Sequence, residues 1–376
     1  MNAKLPLLDY IIRSGCDWYF RKRTLEFVLI NGGVALLVAS LAVGWAFSVR
    51  IPISNGTLDF TFDSAADTPA IIAYGCFALG FAMVVIGTVV WGVQQIAENR
   101  RLARKRVIVI EQRGLRDTTD TPLVAAVPAT FVGHRDDLLV NLRQGNDGAI
   151  VNPQAALDRI IALPQELEFR RAGRDRVDVT VVYGGLVPVP FAFLTGLLID
   201  DESLVTIFDW DRNKNQWRAL DGEDDGIRFT VSGLSEVPDG AQEAIFAVSV
   251  SYKVDIESVR RTLGDLPLVQ CVLPNGTVDC HWSEEKQQAL ARTFRDTASA
   301  LSNAGLRKLH VFIAAQNSVT FRLGRSYDKR NLPPAVVYQY ERSSAPPYPW
   351  GVLMPVHGID KAQIVRPEYR NVAQRV

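Results

Sequence analysis

The chain contains little cysteine, little histidine and no excess of charge of either sign. Its 376 residues include 4 Cys and 4 His, and 41 basic residues balance 41 acidic ones. No C-x-x-C and no paired His/Cys spacing is present, so the sequence predicts no metal site and no cofactor. The balanced charge gives no electrostatic reason to expect a DNA or RNA duplex as a partner.

Motifs for covalent catalysis are also missing. The sequence has no G-x-S-x-G, no Ser-His-Asp or Cys-His arrangement, and no Walker loop after Gly184-Gly185. His310 lies within a predicted strand and His281 precedes a predicted helix, so both are interpreted as structural. We therefore predict no catalytic residue.

The cysteines do not predict a disulfide framework. Cys271 and Cys280 flank the turn sequence Pro274-Asn275-Gly276, where they can face each other across a hairpin. A cytoplasmic domain keeps such thiols reduced.

Two long hydrophobic runs are the strongest positive feature. Residues 27–49 and 68–93 carry no charged side chain, and each exceeds the roughly 20 apolar residues that cross a bilayer as a helix. Both runs are predicted to be transmembrane helices. A cleaved signal peptide is the competing interpretation of the first run, but it lacks an A-x-A-like site and a second run follows.

Charge around these runs predicts their orientation. Basic clusters at residues 21–23 and 100–106 flank the pair, whereas the loop between them carries Asp59, Asp63 and Asp67. By the positive-inside rule, both termini face the cytoplasm. The predicted domains are an interfacial segment at 1–26, a transmembrane hairpin at 27–93, a basic helical connector at 94–120 and an aqueous head at 121–376. The alternative for 1–26 is a simple extension of the first span.

Both runs are rich in Gly, Ala and Ser, which let helices approach closely in lipid. Two interpretations stay open. The two spans pack on each other, or their small-residue faces allow several hairpins to assemble.

The head alternates strand-like and helix-like segments, which predicts an α/β fold. A strand–turn–helix–strand pattern occurs at residues 177–210 and again at 309–340. Ligands of open α/β sheets bind at the carboxyl ends of strands, against helix N-termini whose free N–H groups favour anions. Two such corners facing each other would form one composite site for a multiply charged ligand. Taken singly, Gly184-Gly185 is interpreted as a plain tight turn. The basic residues near the second corner are, taken singly, as compatible with a solvated helix face as with phosphate contacts.

Residues 309–353 carry a more specific pattern. A strand ending in small residues leads to a short helix closing with Gly324-Arg325, then to a strand ending in Tyr338, Tyr340 and Glu341, and then to Tyr348. This pattern resembles the C-terminal half of the SAVED sensor domain, and residues 177–210 resemble its first half. The resemblance covers roughly residues 165–360 and implies two fused CARF-like, Rossmann-type units.

The resemblance also implies a function. SAVED domains bind cyclic oligonucleotide messengers, usually cyclic trinucleotides, between their halves, and binding drives head-to-tail oligomerisation. Two spans before such a domain resemble the membrane-disrupting effectors of CBASS, a bacterial anti-phage system. The implied protein is a multi-pass protein of the bacterial inner membrane that binds its messenger, self-associates and perforates the bilayer. The alternatives are a membrane tether that recruits a partner, and an enzyme that cleaves its own ligand.

Ligand contacts implied by the resemblance lie at the two corners. They are Gly184, Gly185, Leu186 and Pro188 in the first corner; Gln316, Asn317 and Ser318 in the second; Ser249 and Ser251 on a central strand; and Tyr348, Arg322 and Arg325. Neither corner contains Lys or Arg, so phosphate recognition is expected to use backbone N–H groups together with Arg322 or Arg325.

Overall fold

A computed structural model divides the protein into two compact units, Met1–Leu102 and Ala103–Val376. The structure describes residues 24–41, 46–53, 56–63, 70–145, 150–199 and 205–367, with backbone alone at 46–53 and 56–63. Residues 1–23 of the predicted interfacial segment lie outside the described residues.

The N-terminal unit is a helical hairpin that differs from the predicted pair of spans. Helix α1 (Leu25–Leu41) is followed by strands β1 (Ala46–Ile53) and β2 (Gly56–Asp63) and by helix α2 (Ala70–Arg104). The predicted first span is wrong at its end, because residues 46–49 pair with β2 in an antiparallel hairpin. An Asn-Gly pair in the sequence between two alternating segments is a strong signal for such a hairpin. Among the described residues, one helix, Ile71–Arg104, is long and apolar enough to cross a membrane by length and composition.

Glycines let the two helices of this unit touch. A Cβ built on Gly33 would lie 2.7 Å from the carbonyl oxygen of Gly80, and one on Gly80 would lie 2.8 Å from that of Gly33. Gly75 and Gly92 have no such neighbour within 4 Å. Packing within one hairpin therefore uses part of the small-residue surface.

The predicted helical connector is wrong beyond Arg104. Strand β3 (Arg106–Arg113) begins there, and every residue of it after Arg106 is buried. The run Val-Ile-Val-Ile is β-branched and apolar on both faces, which favours a central strand of a parallel sheet.

The first sheet of the head has five strands in the order β4-β3-β5-β6-β7, of which only β7 is antiparallel. The new strands are β4 (His134–Asn141), β5 (Val179–Leu186), β6 (Val205–Asp211) and β7 (Gln216–Ala219). Its helices are α3 (Leu123–Ala126), α4 (Pro153–Ile161), α5 (Leu163–Arg171) and α6 (Val189–Leu198).

The second sheet has seven strands in the order β14-β13-β12-β11-β9-β10-β8, with a parallel centre and antiparallel edges. Its strands are β8 (Thr230–Ser232), β9 (Glu243–Ser249), β10 (Leu268–Val272), β11 (Lys308–Ala314), β12 (Ala335–Gln339), β13 (Trp350–Leu353) and β14 (Gln363–Val365). Its helices are α7 (Ile256–Leu263), α8 (Glu284–Asn303) and α9 (Asn317–Ser326).

The predicted N-terminal cap of α8 is confirmed. Ser283 caps α8 by accepting a hydrogen bond from the Lys286 N–H at 3.2 Å. The expected facing of Cys271 and Cys280 is wrong, because β10 pairs with β8 and β9 and both thiols are free.

The predicted internal repeat is present as β5–α6–β6 and β11–α9–β12, each with a parallel strand pair. Helix α6 packs against β12 and β13 of the second sheet, while α9 packs against β5 and β6 of the first. The helices also cross each other closely. A Cβ on Gly196 would lie 2.0 Å from the Phe321 carbonyl oxygen, and one on Gly324 would lie 2.0 Å from that of Phe193. The motif Phe-x-x-Gly occupies the same place in both helices.

Candidate functional site

The carboxyl ends of strands from both sheets surround one cavity of about 330 Å³, called the central cavity here. It lies where β5 leads into α6 and where β11 leads into α9, and it also includes the ends of β6 and β12. Its lining consists of Leu115, Leu186, Val187, Pro188, Val189, Asp209, Trp210, Arg212, Asn213, Ser251, Tyr252, Val278, Asp279, His281, Ala315, Gln316, Asn317 and Gln339. The two predicted corners therefore face each other.

Each half caps the helix of the other half beside this cavity. The Val189 N–H at the start of α6 donates to Gln339 Oε1 at the end of β12, at 3.0 Å. The Ser318 N–H in the first turn of α9 donates to Asp209 Oδ2 near the end of β6, also at 3.0 Å. These reciprocal caps satisfy donors that a helix N-terminus otherwise leaves open.

At the first corner, the backbone N–H groups from Val187 to Pro190 are already used or absent, contrary to the expectation that free amides there would hold phosphates. The Val187 N–H donates to Asn317 Oδ1 at 3.1 Å, and the Val189 N–H is used by Gln339. Pro188 and Pro190 have no N–H to offer. A phosphate at this corner would therefore have to be held by side chains.

A buried carboxylate and a buried imidazole face each other at the second corner. Asp209 Oδ2 is 3.5 Å from His281 Nε2, with side chains 5% and 3% exposed. Burial lowers the pKa of His281, and the charge of Asp209 opposes that shift. Neither ring nitrogen of His281 has a hydrogen-bond partner within the described part of the chain. Burial therefore favours the neutral form of His281 in the folded protein.

Two hydrogen bonds donated by Gln287 of α8 hold residues of the second corner in place. Its Nε2 donates to Ser318 Oγ at 2.9 Å and to the His281 carbonyl at 2.7 Å. Ser318 is buried and does not cap α9, whose N-cap residue is Gln316. The side chain of Gln316 reaches across to donate to the Val278 carbonyl at 2.6 Å.

The cavity wall also offers a cation and an aromatic surface. Arg212 is exposed and makes no ion pair or hydrogen bond with any other described residue. The side chain of Tyr252 is 59% exposed, so its ring face is open to a ligand. Guanidinium groups bind phosphate, and aromatic faces stack on nucleobases.

A second concavity adjoins the central cavity. It has a volume of about 350 Å³ and shares Ser251 and Tyr252 with it. Ser249, Lys253 and Asn275 also line it. The Ser249 hydroxyl accepts a hydrogen bond from the Val254 N–H at 3.0 Å.

The structure separates the predicted site residues into groups. Leu186, Pro188, Ser251, Gln316 and Asn317 line the central cavity, and Ser249 lines the adjoining one.

The remaining predicted residues lie elsewhere. Gly184 and Gly185 lie within β5, where an added Cβ would come within 2.9 Å of Leu123 and 2.4 Å of the Tyr183 hydroxyl. Tyr348 is buried against Phe312 with ring centroids 4.7 Å apart. Ser318 lies beneath the cavity, and Arg322 and Arg325 line a separate groove.

Sequence reasoning missed five chemically distinctive residues of the central cavity. These are Asp209, Arg212, Tyr252, His281 and Gln339. Asp209, Arg212 and Gln339 lie at or just past the ends of predicted strands, so the strand-end rule would have found them had it been applied to every parallel strand. Within the described residues, no group of three or more His, Cys, Asp or Glu side chains is arranged to hold a metal ion.

The chain matches two family models. Residues 6–157 match the SAVED-fused 2TM effector domain, and residues 164–354 match SAVED, the SMODS-associated and fused to various effectors sensor domain. No curated protein matches the chain.

Solved structures of Cap4 SAVED/CARF-domain containing receptors are also similar. The receptor from Acinetobacter baumannii with the cyclic trinucleotide 2'3'3'-cAAA shares 13% identity at a TM-score of 0.45, over 76% of this chain and 58% of that one. The receptor from Moraxella osloensis shares 15% identity at a TM-score of 0.41, over 76% of this chain and 59% of that one. The chain spans less than three fifths of the length of these structures.

Proposed function

The chain belongs to the family of SAVED sensor domains and carries the membrane-associated effector domain fused to some of them, and from this we propose that it is a membrane receptor for a cyclic oligonucleotide. The central cavity is the proposed binding site. The observation that carries the proposal is the convergence of strand ends from both halves on one polar cavity with a cation and an exposed aromatic ring.

The proposed ligand is a cyclic trinucleotide, as the family resemblance implies. A cyclic oligonucleotide presents bases that stack and phosphodiesters that carry single charges. Tyr252 supplies a stacking face, Arg212 a phosphate contact, and Gln316 and Asn317 amide groups for base edges. The adjoining cavity provides room for a part of the ligand beyond Tyr252.

The proposed output is membrane damage rather than catalysis. Ligand binding is proposed to drive association of the heads, which concentrates the hairpins in the bilayer and perforates the bacterial inner membrane. In a CBASS system this would kill the infected cell. Gly75 and Gly92 have no neighbour within 4 Å among the described residues, and we propose that they make contacts between hairpins.

Calorimetry of the full-length protein in detergent, titrated with a panel of cyclic di- and trinucleotides, tests the receptor proposal. We expect one trinucleotide to bind tightly and light scattering to show growth in particle mass. Tyr252→Ala should weaken binding, whereas Tyr340→Ala, which changes another exposed tyrosine that does not line the cavity, should not. Equal affinities for the two variants would contradict the site, and absence of binding to every ligand would contradict the function.

Dye release from liposomes tests the output. The reconstituted protein should release dye only with its ligand, and a version whose two apolar helices are replaced by an unrelated hairpin should not. Ligand binding without release would favour a tether that recruits a partner. Linear nucleotide product in the same samples would favour an enzyme.

A further inference from the structure

The described wall of the central cavity carries two carboxylates, which is unexpected for a site that binds phosphodiesters. Asp209 and Asp279 both line the cavity, together with the guanidinium of Arg212. A phosphate placed beside either carboxylate would be repelled by it. The part of the ligand that contacts a carboxylate must therefore be a sugar or a base.

Asp279 is the carboxylate that a ligand can reach. It is exposed, and it accepts one long hydrogen bond, from Trp282 Nε1 at 3.4 Å. The side chain of Asp209, by contrast, is 5% exposed. Both oxygens of Asp209 already accept hydrogen bonds, from the Ser318 and Trp210 N–H groups. Most of the accepting capacity of Asp279 is thus left for a ligand.

The turn that carries Asp279 is fixed against the second corner on both sides of this residue. The Val278 carbonyl before it accepts from Gln316 Nε2 at 2.6 Å. The His281 carbonyl after it accepts from Gln287 Nε2 at 2.7 Å. A backbone held at two points presents its side chain to the cavity at a lower entropic cost than a free loop does.

A carboxylate accepts hydrogen bonds and donates none, so it distinguishes bases by their donors. Adenine and cytosine each present one exocyclic amino group, and guanine presents an N–H and an amino group side by side. Two adjacent donors match the two oxygens of one carboxylate. Uracil presents a single N–H between two carbonyl oxygens, which a carboxylate repels.

From this arrangement we propose that Asp279 selects a base of the ligand. The central cavity takes a cyclic oligonucleotide with an amino-bearing base against Asp279, prefers guanine there to adenine or cytosine, and rejects uracil. This inference rests on the proposed receptor function and adds the identity of one base to it. The phosphates then lie towards Arg212 and the selected base towards the turn of Asp279.

Calorimetry of the full-length protein in detergent tests the proposal with three cyclic trinucleotides of identical linkage. The probes contain three uracils, three adenines, or two adenines and one guanine. We expect the guanine-containing probe to bind most tightly and the uracil probe to bind at least about tenfold more weakly than either of the others.

Two variants and a control separate base selection from net charge. Asp279→Asn replaces a group that only accepts by one that also donates, and should shrink the difference between the guanine and uracil probes about tenfold. Asp279→Glu keeps the carboxylate and should keep the order of the three affinities. Asp239→Asn removes the same charge from an exposed residue that does not line the cavity, and should leave all three affinities unchanged.

The possible failures are distinguishable from a failure of the receptor function. If the parent protein binds all three probes equally, or binds the uracil probe most tightly, base selection by Asp279 is wrong while the receptor function stands. An Asp279→Asn variant with the same preferences as the parent, or an equal change in Asp239→Asn, has the same meaning. Absence of binding to any cyclic oligonucleotide contradicts the receptor function itself and this inference with it.

Discussion

Helices α6 and α9 occupy equivalent places in the two halves of the head, yet they differ sharply in charge. Helix α6, with the sequence VPFAFLTGLL, has no charged residue and is buried almost throughout. Helix α9, with the sequence NSVTFRLGRS, carries Arg322 and Arg325, which line a separate groove beside α8. The backbone contacts are shared, since both helices use Phe-x-x-Gly to cross. The two copies of the internal repeat therefore share the backbone packing of their helices but differ in the charge that those helices carry.

The caps of the two helices differ in the same way. An amide, Gln339, caps α6, whereas a carboxylate, Asp209, caps α9. A carboxylate at a helix N-terminus is stabilised by the helix dipole, and it repels a phosphate from that position. We therefore expect ligand phosphates to lie near Arg212 and away from the start of α9.

The largest expected effect is from breaking the shared helix crossing. Gly196→Ala or Gly324→Ala puts a methyl group on a backbone carbonyl at 2.0 Å, and each should cost about 3 kcal/mol or more in the free energy of unfolding. Thermal denaturation of the full-length protein checks this. Gly92→Ala, at a helical glycine with no neighbour within 4 Å, is the control, and comparable melting of all three variants would disprove the crossing.

The caps should differ in strength. Asp209→Ala removes an acceptor that serves both the Ser318 and the Trp210 N–H groups, and should cost about 2–3 kcal/mol, since bonds to charged acceptors are the stronger ones. Gln339→Ala removes one neutral bond and should cost about 1 kcal/mol. Denaturant unfolding measures both. An equal or reversed order would mean that charge does not distinguish the two halves.

Ligand affinity tests where the phosphates lie. Arg212→Gln should weaken cyclic-oligonucleotide binding about tenfold because it removes the one unpaired cation lining the described part of the central cavity. Lys214→Gln changes the same turn outside the cavity and serves as the control in calorimetry. If the Lys214 variant binds as weakly as the Arg212 variant, the phosphates do not contact this wall.

The smallest expected effect is on pH dependence. Burial lowers the pKa of His281, so the unfolded chain binds a proton more readily than the folded chain. The stability that neutral His281 provides is present above its ordinary pKa of about 6.5 and is lost as pH falls below that value. Asp209, Asp279 and Arg212 are the charged groups acting on it.

Melting temperatures between pH 8 and pH 5.5 measure this slope. His310 also has a pKa lowered by burial and contributes to it. His281→Gln should flatten the slope while keeping the contribution of His310. An unchanged slope in this variant would mean that His281 is not the titrating group.

The sequence predicted what depends on local patterns. The strands and helices of the repeat, the Ser283 cap and the facing of two strand-end corners all follow from hydrophobic runs, turn residues and the rule for parallel sheets. The reciprocal caps could not be predicted, because their partners are 150 residues apart for Val189–Gln339 and 109 residues apart for Ser318–Asp209.

Two predictions were wrong for local reasons. The sequence predicts a turn at Gly184-Gly185, but both glycines lie inside β5, where close packing on Leu123 and Tyr183 requires residues without a side chain. The sequence does not mark the start of β3, because the basic stretch that ends α2 at Arg104 leads directly into the strand at Arg106. The sequence contains one further sign of the internal repeat, because Phe193-x-x-Gly196 and Phe321-x-x-Gly324 occur at matching positions in the two helices.

The reciprocal caps also govern when the head can form during synthesis. When α6 leaves the ribosome, the side chain that completes its N-terminus is still 150 residues from being made. At about 5–20 residues per second, that interval is roughly 8–30 s. During this interval the apolar helix α6 lacks its partner helix α9, although the N-terminal hairpin has already been translated. The central cavity can therefore form only after β12 has emerged, late in translation, and under the proposed function newly made chains cannot bind their ligand before then.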